Sequence, residues 1–133
     1  MKITAAKYYI IVTGLFFAVS YFLGGTEQLL QMPLFYMVAG PAALFFRFYS
    51  SIFDLSHILK HRHKVIFEQH VFRWVIGWSG KIVTPICIFS ETVNGINDLD
   101  VKQIVTRSKM NLLFTLISIV TLPLAVFIIM AWR

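Results

Sequence analysis

The chain holds 133 residues, of which 58% are apolar and only 14% charged, with a formal net charge of +6. Soluble domains run at about 45–50% apolar and about 25% charged, so this composition excludes an ordinary soluble globule, a disordered tail and a collagen-like fibre. The single cysteine, Cys87, excludes an internal disulfide framework and a multi-cysteine metal site.

In chain order, the charges are missing in blocks. Residues 8–26 and 28–46 are runs of 19 without a charge, and residues 110–132 are a run of 23. About 20 residues of helix cross about 30 Å of hydrocarbon. The expectation is an all-α integral membrane protein forming a single membrane domain over residues 1–133, with transmembrane helices at about 8–26, 32–53 and 110–132. A secretory signal peptide is the alternative for the first run, because Lys2 and Lys7 precede it. That run ends in Phe22-Leu23-Gly24-Gly25, without an Ala-x-Ala cleavage pattern.

Basic residues set the orientation. Lys2 and Lys7 hold the N-terminus on the cytoplasmic side, while the connection around Glu27 carries no basic residue and suits the outer face. The second span returns inward to Arg47, Lys60, Arg62, Lys64 and Arg73. Residues 54–109 then form one cytoplasmic or interfacial segment. In it, Phe67, Val71, Trp74, Val75 and Trp78 recur at helical spacing, with Glu68, Gln69 and Arg73 off the stripe. This predicts an interfacial amphipathic helix with Trp at headgroup depth. The alternative is a four-helix transmembrane bundle, with a fourth span over residues 71–90. It would set Lys81 near the midplane, at about 2.5–3.5 kcal/mol, and would contain Pro85. Residues 91–100, ETVNGINDLD, read as a turn-rich link, and Lys102, Arg107 and Lys109 mark the cytoplasmic start of the last span.

Within the spans, small and polar residues are the ones that distinguish a helix neighbour from lipid. Gly14 and Ala18 make a small pair on one face of the first span. Asn111, Thr115, Ser118 and Leu122 give the last span a mildly polar face, suited to packing. The second span is more specific. Tyr36, Gly40, Ala43, Arg47, Ser50, Asp54, His57 and His61 follow steps of four and three, one stripe running from the span into the cytoplasmic segment. Arg47 is either a functional cation with Ser50, Ser51 and Asp54 beside it or an arginine snorkelling to the headgroups.

His57, His61, His63 and His70 cluster within fourteen residues, and His57 with His61 at i, i+4 could hold a metal or a haem edge. None lies inside an uncharged span, however, and LKHRHK is cationic. The expected role is a solvated basic face on anionic lipid headgroups. No paired-carboxylate site, Gly-x-Ser-x-Gly, His-Glu-x-x-His or phosphate loop occurs. Neither an enzyme, nor a cofactor or metal, nor a nucleic-acid partner is expected. The physical reading is a small inner-membrane protein that binds another membrane-embedded chain.

The tail KMNLLFTLISIVTLPLAVFIIMAWR resembles the last span of the short immunity proteins that protect bacteria against pore-forming colicins. The matching residues are Lys109, Met110, Asn111, Leu112 and Leu113, then Leu122, Pro123 and Leu124. The opening KYYII, with Lys7, Tyr8 and Tyr9, is similar to the basic-Tyr-Tyr start of that family, and Arg47-Phe48-Tyr49 to its basic-aromatic pair. The segment from about His57 to Ser108 is much longer than in that subgroup. The resemblance implies a multi-pass protein of the bacterial inner membrane that binds the membrane-inserted channel domain of a colicin or related bacteriocin before the pore opens. On that basis the partner would meet Gly40, Ala43, Arg47, Ser50, Ser51 and Asp54 of the second span, with Asn111, Thr115 and Ser118 as a second surface. Two other readings stand beside it: a small structural subunit of a secretion or conjugation machine, and a haem- or metal-binding anchor subunit.

Overall fold

The computed structural model describes residues 3–72 and 82–132. The chain is mostly helical. Among the described residues, three helical stretches are long and apolar enough to cross a membrane: Ala5–Phe22, Glu27–Arg62 and Leu99–Ala131. Helix α1 is Ala5–Phe22, opened by Thr4, whose Oγ1 accepts from the Lys7 N–H at 3.3 Å. At about 1.5 Å per residue its 18 residues span about 27 Å. The chain reverses after Gly25, whose φ of +82° strains any residue with a Cβ.

The second membrane stretch is not one regular helix. A 3-10 turn, Glu27–Gln31, leads into α2, Met32–Met37, with Pro33 in its first turn, where a missing N–H costs nothing. A π turn, Val38–Ala42, follows and contains Pro41. Proline cannot donate to the helix ladder, so this turn has carbonyls to satisfy in a medium without water. The Tyr8 hydroxyl donates to the Ala39 carbonyl at 2.6 Å. Helix α3, Ala43–Arg62, then continues without a break.

The chain divides into two compact units, Met1–Phe46 with Met110–Arg133, and Arg47–Lys109. In the first unit, Phe16, Leu29, Tyr36, Ala125 and Ile129 form the core. Hydroxyls tie its helices together: Tyr9 to Thr121 at 2.8 Å and Thr13 to Tyr36 at 3.2 Å. Ser20, Asn111, Thr115 and Ser118 are buried, whereas Ile10, Leu15, Phe22, Val120 and Phe127 are exposed. Buried hydroxyl and amide side chains behind exposed large apolar ones fit lipid as the surrounding solvent.

The second unit has the opposite pattern. Phe48, Ile52, Leu55 and Leu59 of α3 are buried, while Ser50, Phe53, Asp54, His57, Lys60 and His61 of the same helix are exposed. After α4, Lys64–His70, two short strands pair antiparallel, β1 (Val71–Phe72) with β2 (Ile82–Val83), in register Val71 to Val83 and Phe72 to Ile82. The 3-10 turn Pro85–Phe89 and α5, Glu91–Asn94, lead to α6, Leu99–Trp132. Val83, Cys87, Ile88, Val93, Ile96, Val101, Ile104 and Val105 complete this unit's apolar core. The Ser56 hydroxyl joins the strands to α3 by accepting from the Val83 N–H at 3.0 Å.

Two expectations for this region change. The helix carrying Phe67 stops at His70, because Val71–Phe72 is extended and paired, and Phe67 is only 3% exposed, turned into protein core rather than toward lipid. Trp74, Val75, Trp78, Arg73 and Lys81 lie outside the described residues. The described part of the alternative fourth span, residues 71–72 and 82–90, is strand and 3-10 turn and not α-helix.

Candidate partner-binding surface

Helical spacing places Tyr36, Gly40, Ala43, Arg47, Ser50, Asp54, His57 and His61 in one stripe, but their exposure changes along it. Tyr36 and Gly40 are buried, Ala43 and Arg47 half-buried, and Ser50, Asp54, His57 and His61 exposed. Gly40 is covered from within the chain, since a Cβ there would sit 3.5 Å from the Tyr36 ring. The small residue therefore seats an aromatic one turn earlier on its own helix.

Ser51, beside the stripe, is buried and donates its hydroxyl to the Arg47 carbonyl at 3.0 Å. Ser50 and Asp54 lie on the outer side of α3, and Asp54 is 4.0 Å from Arg107. Both members of that pair are exposed, so the attraction is screened and weak, and both groups stay accessible. In the second unit, the residues of the sequence-derived set that face outward are thus Ser50 and Asp54, with Arg47 half-exposed above them.

The proposed second surface lies inside the first unit. Asn111 is 1% exposed, Thr115 3% and Ser118 0%. Thr115 donates to the Asn111 carbonyl at 2.7 Å and Ser118 to the Thr115 carbonyl at 2.8 Å, so both hydroxyls are satisfied by their own helix.

Sequence reasoning missed a polar clasp in the second unit. Arg62, at the end of α3, reaches Asp98 at 3.2 Å and Asp100 at 2.8 Å, and His63 Nε2 lies 3.3 Å from Asp98. The Asp98 carboxylate also accepts from the Asp100 N–H at 3.0 Å, just before α6 starts. Burial pushes the Asp98 carboxyl up, but hydrogen bonds from His63, Arg62 and the Asp100 amide outweigh it and hold it below the usual carboxylate range. The signal in sequence is an acidic residue directly before a helix, Asp98-Leu99-Asp100.

The histidines divide by role. His57 and His61 stack edge to face on the exposed side of α3, with ring centroids 4.5 Å apart. His63 belongs to the clasp, and His70 Nε2 lies 3.4 Å from Ser90 Oγ. Among the described residues, no three His, Cys, Asp or Glu side chains gather as a metal site would require. Cys87 is buried, and burial pushes its thiol up to about 11.

Comparison with known proteins yields no match to any family model, any curated protein or any solved structure.

Proposed function

We propose that the chain is an immunity protein of the bacterial inner membrane, which binds the membrane-inserted channel domain of a pore-forming colicin or related bacteriocin and prevents pore opening. The observation that carries this reading is the face of α3, where Arg47, Ser50 and Asp54 stand at the end of a transmembrane stripe with polar groups turned outward. A lipid-facing first unit, with the Thr115 and Ser118 hydroxyls bonded within their own helix, keeps the chain in the plane where such a toxin inserts. The basic bias of residues 47–109 supports a cytoplasmic position for that face, as Lys2 and Lys7 do for the N-terminus. Basic side chains there also meet anionic headgroups.

Protection requires differential affinity. Moving a channel from 1:99 to 99:1 in favour of its closed inserted state takes about 10⁴-fold tighter binding to that state, or about 5.5 kcal/mol. Interhelical hydrogen bonds in membranes average about 0.6 kcal/mol, so side-chain pairs alone would have to number nearly ten. Close helix packing over the stripe has to supply most of the energy, with Arg47, Ser50 and Asp54 giving selectivity between toxins.

The test is co-purification. Tagged protein in vesicles carrying an inserted colicin channel domain should retain that domain in mild detergent, and Arg47→Leu should insert normally but lose it. Equal retention by Arg47→Leu removes Arg47 from the surface. No retention of any channel domain favours the assembly-subunit reading.

A further inference from the structure

Lys109 is the last charged residue of α6 before the uncharged run of residues 110–132, so its ammonium marks the depth at which the helix meets the headgroups. The second unit holds that ammonium in place. It lies 2.9 Å from Asn94 Oδ1 and 5.9 Å from the centroid of the Phe89 ring. The Asn94 amide nitrogen in turn donates to the Ile88 carbonyl at 3.0 Å and the Ser90 carbonyl at 2.8 Å. One side chain therefore fixes the 3-10 turn Pro85–Phe89 to the foot of the transmembrane helix.

The turn is itself two-faced. Cys87 and Ile88 are buried in the unit's core, whereas Ile86 is 77% exposed and Phe89 59% exposed. Its backbone closes on itself, with the Cys87 N–H donating to the Thr84 carbonyl and the Ser90 N–H to the Cys87 carbonyl, both at 3.0 Å. The Phe89 ring therefore stands beside the last charged side chain that precedes the uncharged run of α6, where interfacial apolar groups are expected. Residues 47–109 carry nine Lys and Arg against five Asp and Glu, which complements an anionic leaflet.

We propose that the turn Pro85–Phe89 is a membrane-interface anchor. Ile86 and Phe89 enter the glycerol and upper acyl region of an anionic leaflet, and Lys109 contacts the phosphates around them. The interfacial element is then this turn, not the helix that carries Phe67. The inference rests on the membrane spans alone and holds whatever partner the chain has.

The experiment uses the full chain in vesicles of phosphatidylcholine and phosphatidylglycerol, with no other protein. Nitroxide labels go on Ile86→Cys, Phe89→Cys and Lys102→Cys in a Cys87→Ala background. Labels at 86 and 89 should be open to oxygen and shielded from a water-soluble nickel chelate, and the label at 102 should show the reverse. Nickel accessibility at 86 and 89 equal to that at 102 overturns the proposal. Because the background substitution touches the core, the unmodified protein supplies a second arm. An anionic phospholipid with a photoactivatable group high in its acyl chain should form adducts on the peptide containing residues 85–89 and not on the one containing Lys102. Adducts confined to the transmembrane peptides overturn the proposal as well.

Discussion

Replacing Tyr36 by Phe removes one oxygen from the centre of the first unit and leaves the ring in place. Tyr36 is buried, its ring lies 4.7 Å from that of Phe16, and its hydroxyl is 3.2 Å from Thr13 Oγ1. That bond links α1 to α2. Interhelical hydrogen bonds in membranes average about 0.6 kcal/mol and reach about 1.7, because the inserted but unpacked chain finds other partners. A 3.2 Å contact between neutral hydroxyls belongs at the low end, so the coupling should be about 0.6 kcal/mol, or roughly threefold in the equilibrium constant. Tyr36→Ala removes the ring as well, forfeiting an aromatic pair of about 0.5–1.5 kcal/mol and opening a cavity above Gly40, for a total of about 3–5 kcal/mol. The assay is reversible unfolding of the full chain in mixed micelles with increasing dodecyl sulfate, run as a double-mutant cycle with Thr13→Val. Zero coupling would show that the hydroxyl pair does not tie the helices. A Tyr36→Phe loss as large as that of Tyr36→Ala would refute the assignment of the larger share to the ring.

Three further outcomes are expected. Leu55→Ala, at a fully buried position in the second unit, should cost about 2–5 kcal/mol, seen as faster amide exchange along the described part of that unit with membrane insertion unchanged. Because the folded Asp98 carboxyl titrates below its unfolded value, the clasp's contribution is complete above the ordinary carboxylate range and disappears as pH falls through the lowered value. Asp98→Asn should flatten the acid limb of unfolding, and an unchanged limb would count against the clasp. The Cys87 thiol, buried and pushed up to about 11, should resist maleimide at pH 7.5 until the second unit unfolds, and rapid labelling of the native protein would contradict its burial.

The membrane helices were legible because hydrocarbon tolerates no charge. Each of the uncharged runs 8–26, 28–46 and 110–132 falls largely on one observed helical stretch, although the second stretch continues to Arg62 and the third begins at Leu99, well beyond the uncharged part. The stripe on α3 followed from spacing alone. Periodicity gives a face but not its direction. Asn111, Thr115 and Ser118 shared a face as expected, yet that face points inward, as the cost of polar groups in lipid dictates. The core of the second unit was hidden for a different reason. Its members come from segments far apart in sequence, and the turn-rich stretch ETVNGINDLD contributes Val93 and Ile96, isolated apolar residues that no local period reveals. Short apolar runs are ambiguous between helix and strand, which is how Val71 and Phe72 read as helix before pairing with Ile82 and Val83. The irregular turn at Pro41 also receives a hydrogen bond at the Ala39 carbonyl from a hydroxyl 31 positions away, that of Tyr8, a contact no local pattern reveals.

The most direct test of the central claim is protection. The chain is expressed in a sensitive bacterium, its insertion is verified, and the cells are challenged with a panel of purified pore-forming colicins while membrane potential is recorded. The immunity reading predicts that potential survives one toxin and collapses under the others. Collapse under every toxin, with the protein inserted at normal levels, would contradict it.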